Sequence, residues 1–236
     1  MQIWLDTISL KVITDAVKKG ILFGVTTNPT ILSKVANVRE TLTHLLEIQQ
    51  GPVAVQVTGQ TAEEMVEEGK AIFEFSNRMI VKVPVNAAGL AAIHQLRARA
   101  IPILATAIFH PSQLILAATH ATSYVTPYFS HLSDTGNAKE ILKTMVTILQ
   151  VNQSPSKILV ASLRTLEDLI YCSLIGVDAI TIKEELYQKL TEDHYSLEKC
   201  SRKFLNDWQQ THQNRSIKDL LEESSTAKAQ LLYSSL

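Results

Sequence analysis

Hydrophobic residues recur along the chain in short, nearly unbroken runs, with stretches of helical spacing between them. The runs are IWLDT (3–7), FGVTTN (23–28), VAVQVT (53–58), MIVKVPV (79–85), IPILATAIF (101–109), SYVTPY (123–128), KILVAS (157–162) and DAITIKE (178–184). Residues 61–76 carry Met65, Val66, Ile72 and Phe73 near helical spacing, with Glu64 and Glu68 on a polar face; 86–100 and 137–151 read the same way. Continuous apolar runs, rather than clean alternation, are what burial on both faces of a parallel sheet requires. Strand and helix alternate every ~20–35 residues, which fits right-handed βαβ crossovers. Eight such units predict an α/β protein with a closed (β/α)8 barrel, the TIM-barrel architecture. An open doubly wound sheet is the alternative, but no Gly-x-Gly-x-x-Gly follows the first run to favour a dinucleotide-binding version.

After the eighth run, EELYQKLTEDHYSLEKCSRKFLNDWQQTHQ is helical in pattern and ends near Asn214. Such a helix has to bury Phe204, Leu205 and Trp208, on its own barrel or on a neighbouring subunit. No Pro/Gly/Ser-rich linker divides the chain. A single domain is expected over 1–215, the barrel plus an additional C-terminal helix, with a tail over 216–236 that is either weakly helical or frayed.

Composition agrees with that outline and narrows the function. With 46% hydrophobic and 19% charged residues among 236, the chain can build a sizeable core. A formal charge of −1 and the absence of a long Lys/Arg run give no strong field for nucleic acid or a membrane surface. No apolar run reaches the ~18–20 residues of a bilayer span. The start, MQIWLDTISLKV, lacks the basic and apolar regions of a signal peptide, so the cytoplasm is the expected location. Cys172 and Cys200 show neither Cys-x-x-Cys nor Cys/His ligand spacing, as two reduced cytosolic thiols would. His44, His94, His110, His120, His194 and His212 read as surface or packing residues, and no metal site is expected.

In a barrel of this type the chemistry sits where the strands end, and there the runs turn polar. Asp6 ends the first run; Thr26, Thr27 and Asn28 end the second. Gln56, Lys82, Thr106, Tyr128 and Ser162 stand late in the third to the seventh. Singly, an Asp, Thr or Ser at a strand end more often caps the next helix than does chemistry, and Thr30 and Ser33 are equally placed as helix starters. Gln56 and Lys82 are different, because they interrupt apolar strands at positions that should hold Val, Ile or Leu.

Alternation puts Ile80, Lys82 and Pro84 on one side of their strand, Val81 and Val83 on the other. Facing the barrel axis, Lys82 would stand among apolar walls, where desolvation favours the neutral amine. A neutral amine attacks a carbonyl to give a carbinolamine and then a Schiff base. The iminium accepts the electrons of an adjacent breaking C–C bond. That chemistry needs a proton shuttle, for which Asp6, Tyr128, and a water held by Gln56 and Thr106 are the candidates. The bland alternative is a lysine that snorkels to the sheet's rim or pairs with Asp6.

With these residues placed, the chain resembles the transaldolase family, specifically its short single-barrel branch that includes the fructose-6-phosphate aldolases. The resemblance rests on LDT (5–7), GVTTNPTI (24–31), VQVTG (55–59), IVKVPV (80–85), GLAAI (89–93), ATAIF (105–109), TPY (126–128) and ASLRT (161–165), in chain order. It implies the same (β/α)8 barrel. It also implies Lys82 as the Schiff-base lysine and Asp6 as an acid/base and hydroxyl-binding carboxylate. Thr26 and Asn28 become sugar-hydroxyl contacts, and Thr106 helps to hold a catalytic water. The implied donor is a ketose whose dihydroxyacetone portion becomes bound to Lys82. No metal or organic cofactor is implied, because the iminium does the electron-sink work. A homo-oligomer, pentamer or decamer, is implied as well, with the C-terminal helix reaching a neighbour.

Two positions discriminate within the family. Gln56 and Tyr128 stand where transaldolases usually carry Glu and Phe and the aldolase branch carries Gln and Tyr, which favours aldol cleavage over transfer. Transaldolase activity stays open, as does a sugar-phosphate-binding barrel that has lost catalysis. One departure concerns the phosphate site, where an arginine usually follows the sixth strand. Here the run is PYFSHL, with His131 in that place, while Ser162 and Arg164 are kept. Arginine binds phosphate bidentately and is always charged, and a histidine does neither reliably at neutral pH. Weaker phosphate recognition, or a non-phosphorylated acceptor, is the expectation.

Overall fold

The apolar runs form eight strands: β1 Gln2–Asp6, β2 Gly24–Thr26, β3 Val53–Gln56, β4 Met79–Pro84, β5 Ile103–Ile108, β6 Tyr124–Pro127, β7 Lys157–Val160 and β8 Ala179–Ile182. The helices are α1 Leu10–Lys18, α2 Pro29–Leu32, α3 Val38–Ile48, α4 Ala62–Phe75, α5 Ala87–Arg97, α6 Pro111–Ala118, α7 Phe129–Leu132, α8 Ala138–Val151, α9 Leu166–Leu174, α10 Glu184–Thr191 and α11 Tyr195–His212. The computed structural model describes residues 1–134 and 136–222. Each strand pairs in parallel with its sequence neighbours, and β8 pairs with β1 from Gln2↔Ala179 to Leu5↔Ile182. That last pairing closes the expected (β/α)8 barrel and excludes the open sheet.

The strands stop earlier than the apolar runs do, because the late residues leave the ladder to start the next helix. β2 ends at Thr26, and Asn28 becomes the N-cap of α2, accepting from Ile31 N at 2.9 Å. The cap is therefore Asn28, not Thr30 or Ser33. β3 ends at Gln56, and beyond it Glu68 of α4 accepts from Thr58 Oγ1 and Gly59 N at 2.9 and 3.1 Å. Thr61 and Glu64 cap each other at the start of α4. The glycine of the GLAAI stretch has a steric cause. A Cβ on Gly89 would stand 1.8 Å from the Pro84 carbonyl oxygen, so the first turn of α5 lies directly against the end of β4.

Alternation along the strands divides the core in two. Outward-facing residues such as Val25, Val81 and Val83 pack among the helices. Trp4, Ala54, Ile80, Leu104, Tyr124, Leu159 and Ala179 form a separate cluster inside the barrel. This inner layer is the floor on which the site stands. Burial pushes the Tyr124 phenol up from its ordinary range, and the phenol donates to Gln2 Oε1 at 2.8 Å.

Backbone contacts divide the chain into two compact units, Met1–Leu190 and a second from Thr191 onward. In the second, His194 caps α11. Phe204 and Leu205 are 67% and 56% exposed. Trp208 is half-buried, donating to the Arg215 carbonyl at 2.7 Å. Of the expected tail, 217–222 is helical behind a Ser216–Asp219 cap, and 223–236 lies outside the described residues. No helix among the described residues is long and apolar enough to cross a membrane.

Candidate active site

Two residues beyond the apolar floor, on the same strand face, stand Asp6, Gln56, Lys82, Thr106, Thr126, Ala161 and Thr181, and on β2 Thr26 follows Gly24 in the same way. The barrel's next inner layer is therefore polar almost all the way round. Apolar walls are the expectation around Lys82. Those walls lie one layer below it, and at its own level it has polar neighbours. The reason is that the other strands, β7 with Ala161 excepted, turn polar at this height as β4 does.

Lys82 is 3% exposed and donates to the Thr27 carbonyl at 3.2 Å. It neither snorkels to the rim nor forms an ion pair with Asp6. Gln56 is its register partner on β3, and Thr106 is the register partner of Pro84 on β5. Thr106, fully buried, donates to the Tyr128 hydroxyl at 3.1 Å. On the other side of the barrel, Thr26 Oγ1 donates to Asp6 Oδ1 at 2.8 Å and lies 2.7 Å from Thr181 Oγ1. Since the single Thr26 hydrogen goes to Asp6, Thr181 is the donor in the second bond.

Thr181 and Thr126 were missed in the sequence. Both hydroxyls sit in the polar layer, and the Thr126 Oγ1 is buried with no hydrogen-bond partner. Such an orphan costs about 1–3 kcal/mol. The signal that finds both is a polar residue two positions after an inner-layer apolar one, repeated from strand to strand.

A cleft of about 680 Å³ opens over this layer, lined among others by Asp6, Thr7, Asn28, Lys34, Gln56, Tyr128, Lys183, Glu184 and Glu185. The Asn28 Oδ1 is occupied by its cap, which leaves the Nδ2 donor for the cleft. Thr7 Oγ1 donates to Glu184 Oε1 at 2.5 Å.

The residues assigned by resemblance to phosphate come together only in part. Ser130 and Ser162 share a hydrogen bond of 2.6 Å, and the Ser130 hydroxyl lies 3.3 Å from His131 Nδ1. The His131 ring also lies tilted against Tyr128 and Phe109, at 5.9 and 5.8 Å between centroids. Arg164 is exposed, with its backbone N–H held by Asp168 at 3.1 Å. Ser162 and Ala107 both adopt left-handed backbone, φ 63° and 57°. For residues other than glycine this costs roughly 1–2 kcal/mol, and such strain clusters at functional sites. Among the described residues, no group of three or more His, Cys, Asp or Glu is placed to hold a metal ion.

A closed parallel barrel with an enclosed lysine, a carboxylate and a hydroxyl pair at the late strand ends is the framework of a Schiff-base enzyme. The family model for Transaldolase/Fructose-6-phosphate aldolase matches residues 3–231, and the chain belongs to that family. A probable transaldolase of Aquifex aeolicus is 34% identical over 211 residues, covering 89% of this chain and 97% of the relative. Probable transaldolases of Petrotoga mobilis (35% identical, covering 88% of this chain and 95% of the relative) and Thermus thermophilus (34%, 89% and 98%) are similar to the same extent. The chain is thus an enzyme of the Schiff-base aldolase/transaldolase type.

Proposed function

We propose that this enzyme cleaves ketose sugar phosphates such as fructose 6-phosphate, releasing dihydroxyacetone, and catalyses the reverse addition. The observation that carries this reading is the pairing of Thr106 with Tyr128 at 3.1 Å in the polar layer that holds Lys82 and Gln56. Lys82 Nζ attacks the C2 carbonyl, and loss of water gives the iminium. Removal of the C4 hydroxyl proton breaks the C3–C4 bond. The bonding pair enters the iminium, an aldehyde leaves, and an enamine remains on Lys82. Protonation at C3 and hydrolysis then release dihydroxyacetone and free the amine. Thr106, Tyr128 and Gln56 hold the water that moves these protons. Asp6, fixed by Thr26, binds a donor hydroxyl and acts as a second acid/base group. The Thr126 hydroxyl and Asn28 Nδ2 are free to bind the donor's remaining hydroxyls. Ser162, Arg164 and His131 face the phosphate end. The exposed Phe204 and Leu205 of α11 support a homo-oligomer. A sugar-phosphate substrate supports the cytoplasm as its location.

A transferase must keep the enamine from being protonated until a second aldehyde arrives. A phenol and a carboxamide gathered around a water favour protonation, and so release. The second reading, transfer of the same three-carbon unit as in a pentose-phosphate transaldolase, is favoured by the names of the relatives. Borohydride reduction with fructose 6-phosphate or dihydroxyacetone is expected to leave an adduct on Lys82 that is absent in Lys82→Met. No adduct with any ketose would sink the reading. Turnover of fructose 6-phosphate is expected without an added aldehyde. A strict requirement for erythrose 4-phosphate would make the enzyme a transaldolase instead.

A further inference from the structure

The carboxamide of Gln113, the third residue of α6, makes four hydrogen bonds. Oε1 accepts from Phe109 N and His110 N at 2.9 and 3.2 Å, and Nε2 donates to the Val85 and Ala107 carbonyls at 3.0 and 3.2 Å. Both hydrogens and both lone pairs are used. Glu64 of α4 and Asp168 of α9 occupy the same position in their helices, and there the carboxylate accepts from backbone N–H groups of its own loop. A carboxylate would serve the cap of α6 equally well. Only an amide can also donate to the ends of two strands. We infer that Gln113 is a positioning residue for the Thr106–Tyr128 pair, an inference that rests on the proton-transfer role proposed for that pair.

The two donations land next to the chemistry. Val85 lies three residues past Lys82, and Ala107 directly follows Thr106. β5 carries an extra residue there: Ala105 pairs with Val125, but Ile108 pairs with Pro127. Ala107 occupies this bulge at φ 57°. Bulges re-aim the side chains beside them, and this one lies between Thr106 and Ile108, whose carbonyl accepts from Tyr128 N at 3.1 Å. The Phe109 ring, on the backbone that Gln113 Oε1 holds, sets its edge against Tyr128 at 5.5 Å and 80°. One side chain thus fixes the backbone behind Thr106 and the ring beside Tyr128 without touching the cleft layer itself.

Gln113→Glu and Gln113→Met test this with fructose 6-phosphate. The first keeps the accepting oxygens and loses both donations, and the second loses all four bonds. Both are expected to lower kcat on the order of tenfold, to change KM less than about twofold, and to keep the borohydride adduct on Lys82. For Gln113→Glu, kcat relative to wild type is expected to rise as pH is lowered from about 7.5 to about 5, since a protonated carboxyl regains one donation. Unchanged kcat in both variants would overturn the inference. So would a loss of adduct and turnover together, in proportion to folded protein, or a Gln113→Glu ratio flat with pH. If Gln113→Met does not fold, the Gln113→Glu profile alone decides. A wild-type protein that forms no adduct overturns the function reading itself.

Discussion

At the scale of single residues, the site is a set of exceptions to one strand rule. Lys82 follows Ile80, Thr106 follows Leu104, Thr126 follows Tyr124 and Thr181 follows Ala179, each two positions on and facing the same way. Lys82 and Gln56 were legible in the sequence because neither belongs in a buried parallel strand. Thr126 and Thr181 were not, because threonine has high strand propensity and passes as an ordinary residue there. Their meaning comes from partners that only closure of the barrel supplies, 155 residues apart in the case of Thr26 and Thr181. The bond between those two hydroxyls predicts a graded outcome. Thr181→Val removes the donor to Thr26 but leaves the Thr26–Asp6 bond, and is expected to cost about 1 kcal/mol of stability and less than about tenfold in kcat. Thr26→Val takes the bond from Asp6 itself and is expected to lower kcat further. Thermal unfolding and steady-state kinetics on the two variants check the order. Equal losses would mean that Asp6 is not held through Thr26.

At the scale of elements, the eight runs and the barrel were readable because both-face burial leaves an unmistakable apolar block. Element ends were less so, since a polar residue after a strand serves a cap or a site equally well in the sequence. Asn28 shows why: its Oδ1 caps α2 while its Nδ2 is left for the cleft. The bulge in β5 left no trace, because ATAIF has no glycine to mark the left-handed turn at Ala107. The contact of α5 with β4 was visible only as a glycine without an assigned reason. Gly89→Ala would place a methyl group 1.8 Å from the Pro84 carbonyl oxygen, and backbone, not a flexible side chain, would have to move. A destabilisation of about 3 kcal/mol is expected. Because β4 carries Lys82 two residues before Pro84, borohydride trapping should also slow in whatever protein remains folded. Urea unfolding and the trapping rate measure the two effects, and an unchanged midpoint would show that the first turn of α5 can shift freely.

At the scale of the molecule, a net charge of −1 gives no field that steers an anionic substrate, so a phosphate has to be recognised by local contacts. The groups available at the β6–β7 end are the Ser130–Ser162 hydroxyl pair, His131 and the exposed Arg164. His131 stands against Phe109 and Tyr128, and its Nδ1 faces the Ser130 hydroxyl. An arginine in that place would bring a permanent charge and a two-pronged fork, neither of which the imidazole ring supplies in the same form. If phosphate is bound here, restoring the fork strengthens it. A charged hydrogen bond is worth about 1.5–3 kcal/mol net, so His131→Arg is expected to lower KM for fructose 6-phosphate on the order of tenfold. With dihydroxyacetone and a non-phosphorylated aldehyde, KM should stay where it was. Steady-state kinetics on both substrate classes separate the possibilities. A matching change for both classes would show that position 131 acts on Tyr128 through ring contact rather than on the phosphate, and an effect on neither would move phosphate recognition to another face of the cleft.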